Sequence, residues 1–283
     1  MARFNRPLLI MSLVSAAALF ALSGCSGASE SKLEPTVTPP AIKKAGVLRV
    51  GADLSFPPFA GVDDGKQTGL DLDVAGALAG KLGLELVVVD VEPSKAATAL
   101  ADGTVDVVFS IPFSEAGLNN ASLAGSYLTN GPAFFIATES TASVDASLTL
   151  DTLGSQKVGA QEGSSAYWTL ASELGTGTLK PYATLRDAIT AADEGDVQIV
   201  AGDAIVAAYI IRDFPNIHFA GQLVPAVPLG VAVAADNTAL GNKVRDALDG
   251  LAADGVLDAI RNKWVGALPE LKLGESVDAS ATP

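Results

Sequence analysis

"AATALADGTVDVVFS" (residues 96–110) reads as a helical segment, a stop at Gly103 and a β-rich run that ends on Ser110. "LRDAITAADEGDVQIVAGD" (residues 185–203) repeats that order, with Leu185, Ile189 and Ala192 marking one apolar helix face. Upstream of each lies a matching opening. "VLRVGA" (47–52) and "KVGAQEGSSAYWTLASELG" (157–175) both carry a strand through Val-Gly-Ala into a loop. Strands alternating with helices predict a parallel α/β sheet. One plan used twice predicts two lobes.

The first half fills in around this pattern. "GLDLDVAGALAGKLG" (69–83) spaces Leu70, Val74, Leu78 and Leu82 every four residues, the period of an amphipathic helix. Asp71 and Asp73 fall in its first turn, where the helix dipole favours acids, and Gly83 suits its C-cap. "LELVVVDV" (84–91) is a strand, and Pro93 stands at a natural first helical position. Between the halves, "NGPAFFIATES" (130–140) is an extended apolar run, and "VPAVPLGVAVAADN" (224–237) is another after the second half. Two such crossings mean that the chain leaves the first lobe, builds the second and returns. They make a hinge suited to closure around a ligand. The expected limits are 43–134 and 228–270 for the first lobe, and 135–227 for the second.

The ends of the chain read differently. Arg3 and Arg6 precede fifteen apolar residues, "LLIMSLVSAAALFAL", too few for a membrane-spanning helix. "LSGC" (22–25) follows and resembles a bacterial lipobox, with Cys25 as the lipid attachment point and 1–24 as the signal peptide. Cys25 is the chain's single cysteine, so no disulfide is available. Residues 26–42 are small, polar and Pro-rich, the composition of a flexible tether. Residues 271–283 read as a disordered tail.

Composition excludes some functions. A net charge of −14 does not suit a phosphate backbone, so no nucleic acid partner is expected. No His/Cys/Asp/Glu cluster has metal-ligand spacing, and neither a phosphate-binding loop nor a nucleophile elbow occurs. No catalytic residue, metal or cofactor is expected.

The ordered set "LRVGADLSFPPFAG", "GKQTGLDLDVAGALAGKLG", "ALADGTVDVVFS", "GSYLTNGPAFFI", "VGAQEGSSA", "AGDAIVAAYII", "PLGVAVAADN" and "LDAIRNKWVG" resembles the family 3 extracellular solute-binding proteins, the polar amino acid receptors of ABC importers. The likeness covers roughly residues 43–267. It implies a fold of two Rossmann-like lobes, of the periplasmic-binding-protein type II, with a ligand cleft at the carboxyl ends of the strands. It implies a permease and an ATPase as partners for a monomeric, membrane-anchored receptor. Rival classes are a dehydratase-like enzyme on the same scaffold and a sensory lipoprotein.

The resemblance also selects residues. Asp53, Phe56 and Phe59 belong to the loop after the first strand, where relatives stack an aromatic ring on the ligand. Pro57 and Pro58 are expected to hold that loop extended. Ser110 and Phe113 belong to the loop whose polar groups hold the ligand's head. Gly163, Ser164 and Ser165 match the segment that meets a ligand carboxylate at a helix start, and Gln161, at the end of the strand before it, is a further candidate. Asp203 matches the Asp that pairs with the ligand's ammonium. Simple helix capping is the alternative role for Ser164 and for Asp203, where the resemblance favours the ligand.

One departure stands out. Amino acid receptors of this family carry an Arg in the loop after "VDVVFS", which grips the α-carboxylate in bidentate fashion. Here the loop reads "FSEAGLNN" (113–120), with Gly117 or Leu118 near that position. No Lys or Arg occurs anywhere from Ala96 to Gln156. The ligand is therefore expected to be an amino acid held in another way, or an amine or betaine-like cation without a typical α-carboxylate.

Overall fold

The computed structural model describes residues 34–112, 120–138, 148–266 and 268–274. The first lobe opens with β1 (Val47–Ala52), buried throughout except at Arg49. A short hairpin of β2 (Gly61–Asp63) and β3 (Lys66–Thr68) leads into α1 (Leu70–Leu82). Leu70, Val74, Leu78 and Leu82 are all buried, as their spacing requires, and Gly83 caps the helix in the left-handed region at φ 71°. β4 (Glu85–Asp90), α2 (Ala96–Ala101) with a 3-10 turn over Pro93–Lys95, β5 (Val107–Pro112) and β6 (Ala121–Asn130) follow.

The second lobe comprises β7 (Pro132–Ala137), β8 (Val158–Gln161), α3 (Ser165–Leu174), β9 (Leu179–Tyr182), α4 (Leu185–Asp193), β10 (Ile199–Asp203), α5 (Ala204–Ile210) and β11 (Ile217–Gln222). The chain then returns to the first sheet as β12 (Val227–Ala234), and α6 (Thr238–Ala253) and α7 (Val256–Val265) pack beside α1.

The two sheets share one plan. Their strand orders are β4-β1-β5-β12-β6 and β9-β8-β10-β7-β11. In each, three strands run parallel, and the next two pair antiparallel. The sheets are thus mixed, not wholly parallel as the strand–helix alternation suggests. β6, β7, β11 and β12 adjoin the crossings, so they enter their sheets without the helical crossover that parallel neighbours need.

The crossings are short. β6 ends at Asn130 and β7 begins at Pro132, so the switch falls at Gly131 and residues 132–134 belong with the second sheet, earlier than the expected limit. The return occupies residues 223–226, and Val227 already stands in β12 of the first sheet. A Cβ on Gly131 would meet the Ala226 Cα at 3.1 Å, so the two crossings pass close together. Beyond the crossings, α5 of the second lobe meets α7 of the first, with the Tyr209 and Trp264 rings 6.0 Å apart.

Both ends pack further than their composition suggests. Val37 and Ile42, within the expected tether, are buried in the first-lobe core, and Thr36 N–H donates to Leu82 O at 2.9 Å. At the other end Leu271 is buried, and Leu273 bridges to Ala226 beside the second crossing. In each case one or two apolar side chains find space on the body, which a mean over a polar segment does not register. Cys25 lies outside the described residues.

Candidate functional site

The loop after β1 folds back on itself. Asp53 Oδ1 accepts from Ser55 N–H at 2.9 Å and from Ser55 Oγ at 2.6 Å, an Asx turn. Phe59 and Ala60 N–H both donate to Phe56 O, so the double proline turns instead of running extended. The turn stacks the Phe56 and Phe59 rings, 5.3 Å apart and 7° from parallel. Phe59 is buried as the floor of the stack, and Phe56 is 46% exposed above it.

Next to this stack lies a recess of about 120 Å3 lined by Asp53, Phe56, Phe59, Asp71 and Ser110 among others. Among the described residues no Lys, Arg or His lines it. Ser110 stands within β5, which continues to Pro112, and holds φ 57° where a side chain is strained. A closed ring of hydrogen bonds fixes it there. Ser110 N–H donates to Tyr127 Oη at 3.0 Å, Ser110 Oγ donates to Asp71 Oδ2 at 2.7 Å, and Tyr127 Oη donates to Asp71 Oδ1 at 2.6 Å.

Burial drives the electrostatics of this ring. Asp71 is 2% exposed, and desolvation pushes its carboxyl up to about 7 against the pull of the Ser110 and Tyr127 hydrogen bonds. Burial also raises the Tyr127 hydroxyl well above its ordinary range, with the Asp71 charge adding to the effect. Asp71 is absent from the site residues expected from sequence, and Tyr127 reads there as an aromatic ring for the core or for a cation, not as a hydroxyl in a hydrogen-bonded ring. The first-turn placement of Asp71 pointed only to the helix dipole. Asp73, two residues on, accepts from Lys263 Nζ and Trp264 Nε1 of α7, both at 2.6 Å.

The second-lobe candidates fall into two groups, both at carboxyl ends of strands. Gln161 closes β8, and Ser164 caps α3, its Oγ accepting from Tyr167 N–H at 3.1 Å. Ser165 is the first residue of that helix, and Gly163 holds φ 78° in the turn before it. Beside them Trp168 is 62% exposed with Tyr167 edge-on to it. Asp203 ends β10 and caps α5, accepting from Val206 N–H at 2.9 Å. Its other oxygen accepts from Asn130 Nδ2 at 2.6 Å. Burial raises the Asp203 carboxyl despite these bonds. Asn130, the last residue of β6, thereby ties this carboxylate to the first crossing, and Ala204 N–H donates to Gly131 O at 2.9 Å beside it.

The structure thus gathers Asp53, Phe56, Phe59 and Ser110 at one recess and sets Gln161, Ser164 and Ser165 at another loop. Among the described residues no hydrogen bond joins these groups. Phe113 and the stretch that lacks the Arg, residues 113–119, lie outside the described residues. Arg49 is held by Asp106 at 2.6 Å, Arg186 by Asp213 at 2.9 Å, and Arg212 lies over the Tyr209 ring. None of the three lines the recess.

Known proteins agree with this architecture. The chain is 25% identical over 227 residues to the putative ABC transporter arginine-binding protein 2 of Escherichia coli, covering 78% of this chain and 91% of that one. An ancestral arginine-binding protein bound to arginine superposes with a TM-score of 0.55 at 29% identity, over 78% of this chain and 99% of that one. The L-cystine solute receptor of Neisseria gonorrhoeae, in its unliganded open conformation, superposes with a TM-score of 0.67 at 23% identity, over 80% and 95% of the two chains. Residues 48–267 match one family description across both lobes, and on that match the chain belongs to the bacterial extracellular solute-binding proteins, family 3.

Proposed function

We propose that this protein is a receptor at the outer face of the cytoplasmic membrane, anchored through a lipid on Cys25 after loss of residues 1–24. It captures a small polar solute bearing a positive nitrogen, an amino acid or an amino-acid-like compound, and delivers it to an ABC permease and its ATPase. Family members are solute receptors and not enzymes, which sets aside the dehydratase alternative. The lobes we assign meet at Gly131 and at residues 223–226, and the ligand lies between them.

One observation carries the ligand class. Among the described residues, the recess is lined by two carboxyl groups, Asp53 and, held behind Ser110 and Tyr127, Asp71, and by two stacked rings, with no basic side chain. A cation is attracted both to carboxylates and to ring faces. Asp203 supplies a third carboxylate, placed by its tie to Asn130. Relatives named for arginine and L-cystine support an amino acid.

A second reading, an amine or betaine-like cation, is favoured by the lack of any Lys or Arg from Ala96 to Gln156. Loss of a charge-assisted carboxylate clamp forfeits ~1.5–3 kcal/mol for a ligand that needs it. Thermal shifts with arginine and lysine set against agmatine, cadaverine and glycine betaine separate the two. Stabilisation by amino acids supports the first reading, and stabilisation by amines or betaine alone supports the second. No shift with any of them, or with L-cystine, rejects both readings of the solute.

A further inference from the structure

Ser110 faces the recess, yet what it offers a ligand is decided behind it. A serine hydroxyl has one proton to donate and lone pairs to accept with. Here the proton goes to Asp71 Oδ2, and the Tyr127 proton goes to Asp71 Oδ1. Ser110 N–H is also engaged, by Tyr127 Oη. With the carboxylate ionised, all three donors point inward, and Ser110 Oγ shows the recess only lone pairs.

We propose that Asp71 is a specificity-determining residue that acts without touching the ligand, by setting the hydrogen-bond polarity of Ser110. With Asp71 ionised, Ser110 accepts from N–H donors such as an ammonium and turns away carboxylates. With Asp71 protonated, the carboxyl supplies its own proton to the ring. Ser110 is then released to donate, and the recess admits an acceptor. The strained φ of Ser110 agrees with a residue fixed by this ring, since both its N–H and its hydroxyl are claimed. Burial brings the Asp71 carboxyl to about 7, so both states are reached near neutral pH.

The neighbouring charges do not perform this role. From the loop after β1, Asp53 lines the same recess with Oδ1 bound to Ser55. From α1 itself, Asp73 is held by Lys263 and Trp264 of α7. β5 contributes Ser110 and β6 contributes Tyr127. No cation from any of these elements lines the recess among the described residues.

The inference rests on the receptor assignment above, in which the recess faces the ligand. Its test reads Ser110 directly, by NMR of the full mature protein with labelled Asp carboxyl carbons and two probes, n-butylammonium and butyrate. Above the Asp71 midpoint, the Ser110 amide responds to n-butylammonium and not to butyrate. Below it the preference reverses, the ammonium affinity falling about tenfold per pH unit. In Asp71→Asn the pH dependence disappears and butyrate is accepted throughout. Should that variant not fold, Tyr127→Phe serves, because losing a donor to the carboxylate moves the Asp71 midpoint and the reversal upward together. A Ser110 response that is alike for both probes, absent, or unlinked to the Asp71 titration overturns the proposal. Such a result alongside amino acid stabilisation in the thermal panel rejects the polarity setting alone, whereas a silent panel rejects the reading of the solute on which it rests.

Discussion

Asp71 has a second effect, on the stability of the fold. Its carboxyl lies near 7 in the folded protein against an ordinary value of 3.8. Between those values the folded state keeps a proton that the unfolded chain releases. Stability is therefore fully present below about pH 4, declines as pH rises toward 7, and levels off above it. Urea unfolding from pH 4 to 8 should show this decline. Asp71→Asn should flatten it by on the order of 1 kcal/mol per pH unit, with a remainder from Asp203, whose carboxyl is raised in the same direction. Equal slopes in the two proteins would remove Asp71 as the cause. The sequence showed Asp71 as a first-turn acid and no more. Its partners Ser110 and Tyr127 are 39 and 56 positions away, and no local pattern carries a ring closed over that distance. Asp53, Phe56 and Ser110 were singled out only through the family resemblance of their loops, and what the structure adds is that they line one recess.

Elements were more legible than residues, because their signals are local. The four-residue spacing of Leu70, Val74, Leu78 and Leu82 and the glycine after them locate α1 without help from the rest of the fold. The double proline was misread because a dipeptide preference for extended backbone yields to the turn closed on Phe56 O. At α3 the two roles of Ser164 can be pulled apart. Ser164→Ala leaves Tyr167 N–H without its acceptor and should destabilise the protein by about 1 kcal/mol. Ser164→Asp keeps an acceptor there and should restore the melting temperature. It also places a negative charge at the helix start, so a ligand carboxylate would be repelled. Calorimetric titration should then show lost affinity for an amino acid and unchanged affinity for its decarboxylated amine. If both ligands bind Ser164→Asp as they bind the natural protein, the loop holds no carboxylate.

For the whole molecule, the repeat of strand, helix and glycine predicted two lobes, and the two sheets follow one strand order. The lobe limits were misplaced by a few residues, since apolar runs such as "PAFFIA" continue from the crossing into the sheet without a change of composition. Gly131 is where the two crossings meet most closely. Gly131→Val would press a branched side chain against Ala226, already 3.1 Å from a bare Cβ. The sheets should remain, by far-ultraviolet circular dichroism, while ligand-induced compaction in small-angle scattering shrinks or disappears. Affinity should fall roughly tenfold or more as the closed state becomes rare. Full compaction in the variant would place the hinge elsewhere.

The chain's two tryptophans stand in opposite surroundings. Trp168 is 62% exposed on α3, next to the Ser164 loop, whereas Trp264 is 8% exposed where α7 meets Tyr209 of the other lobe. Water shifts indole emission to the red, so Trp168, beside the Ser164 loop, should emit to the red of Trp264, set between α7 and Tyr209. A solute that engages the first and a closure that moves the second should therefore change different parts of one spectrum, with no dye attached.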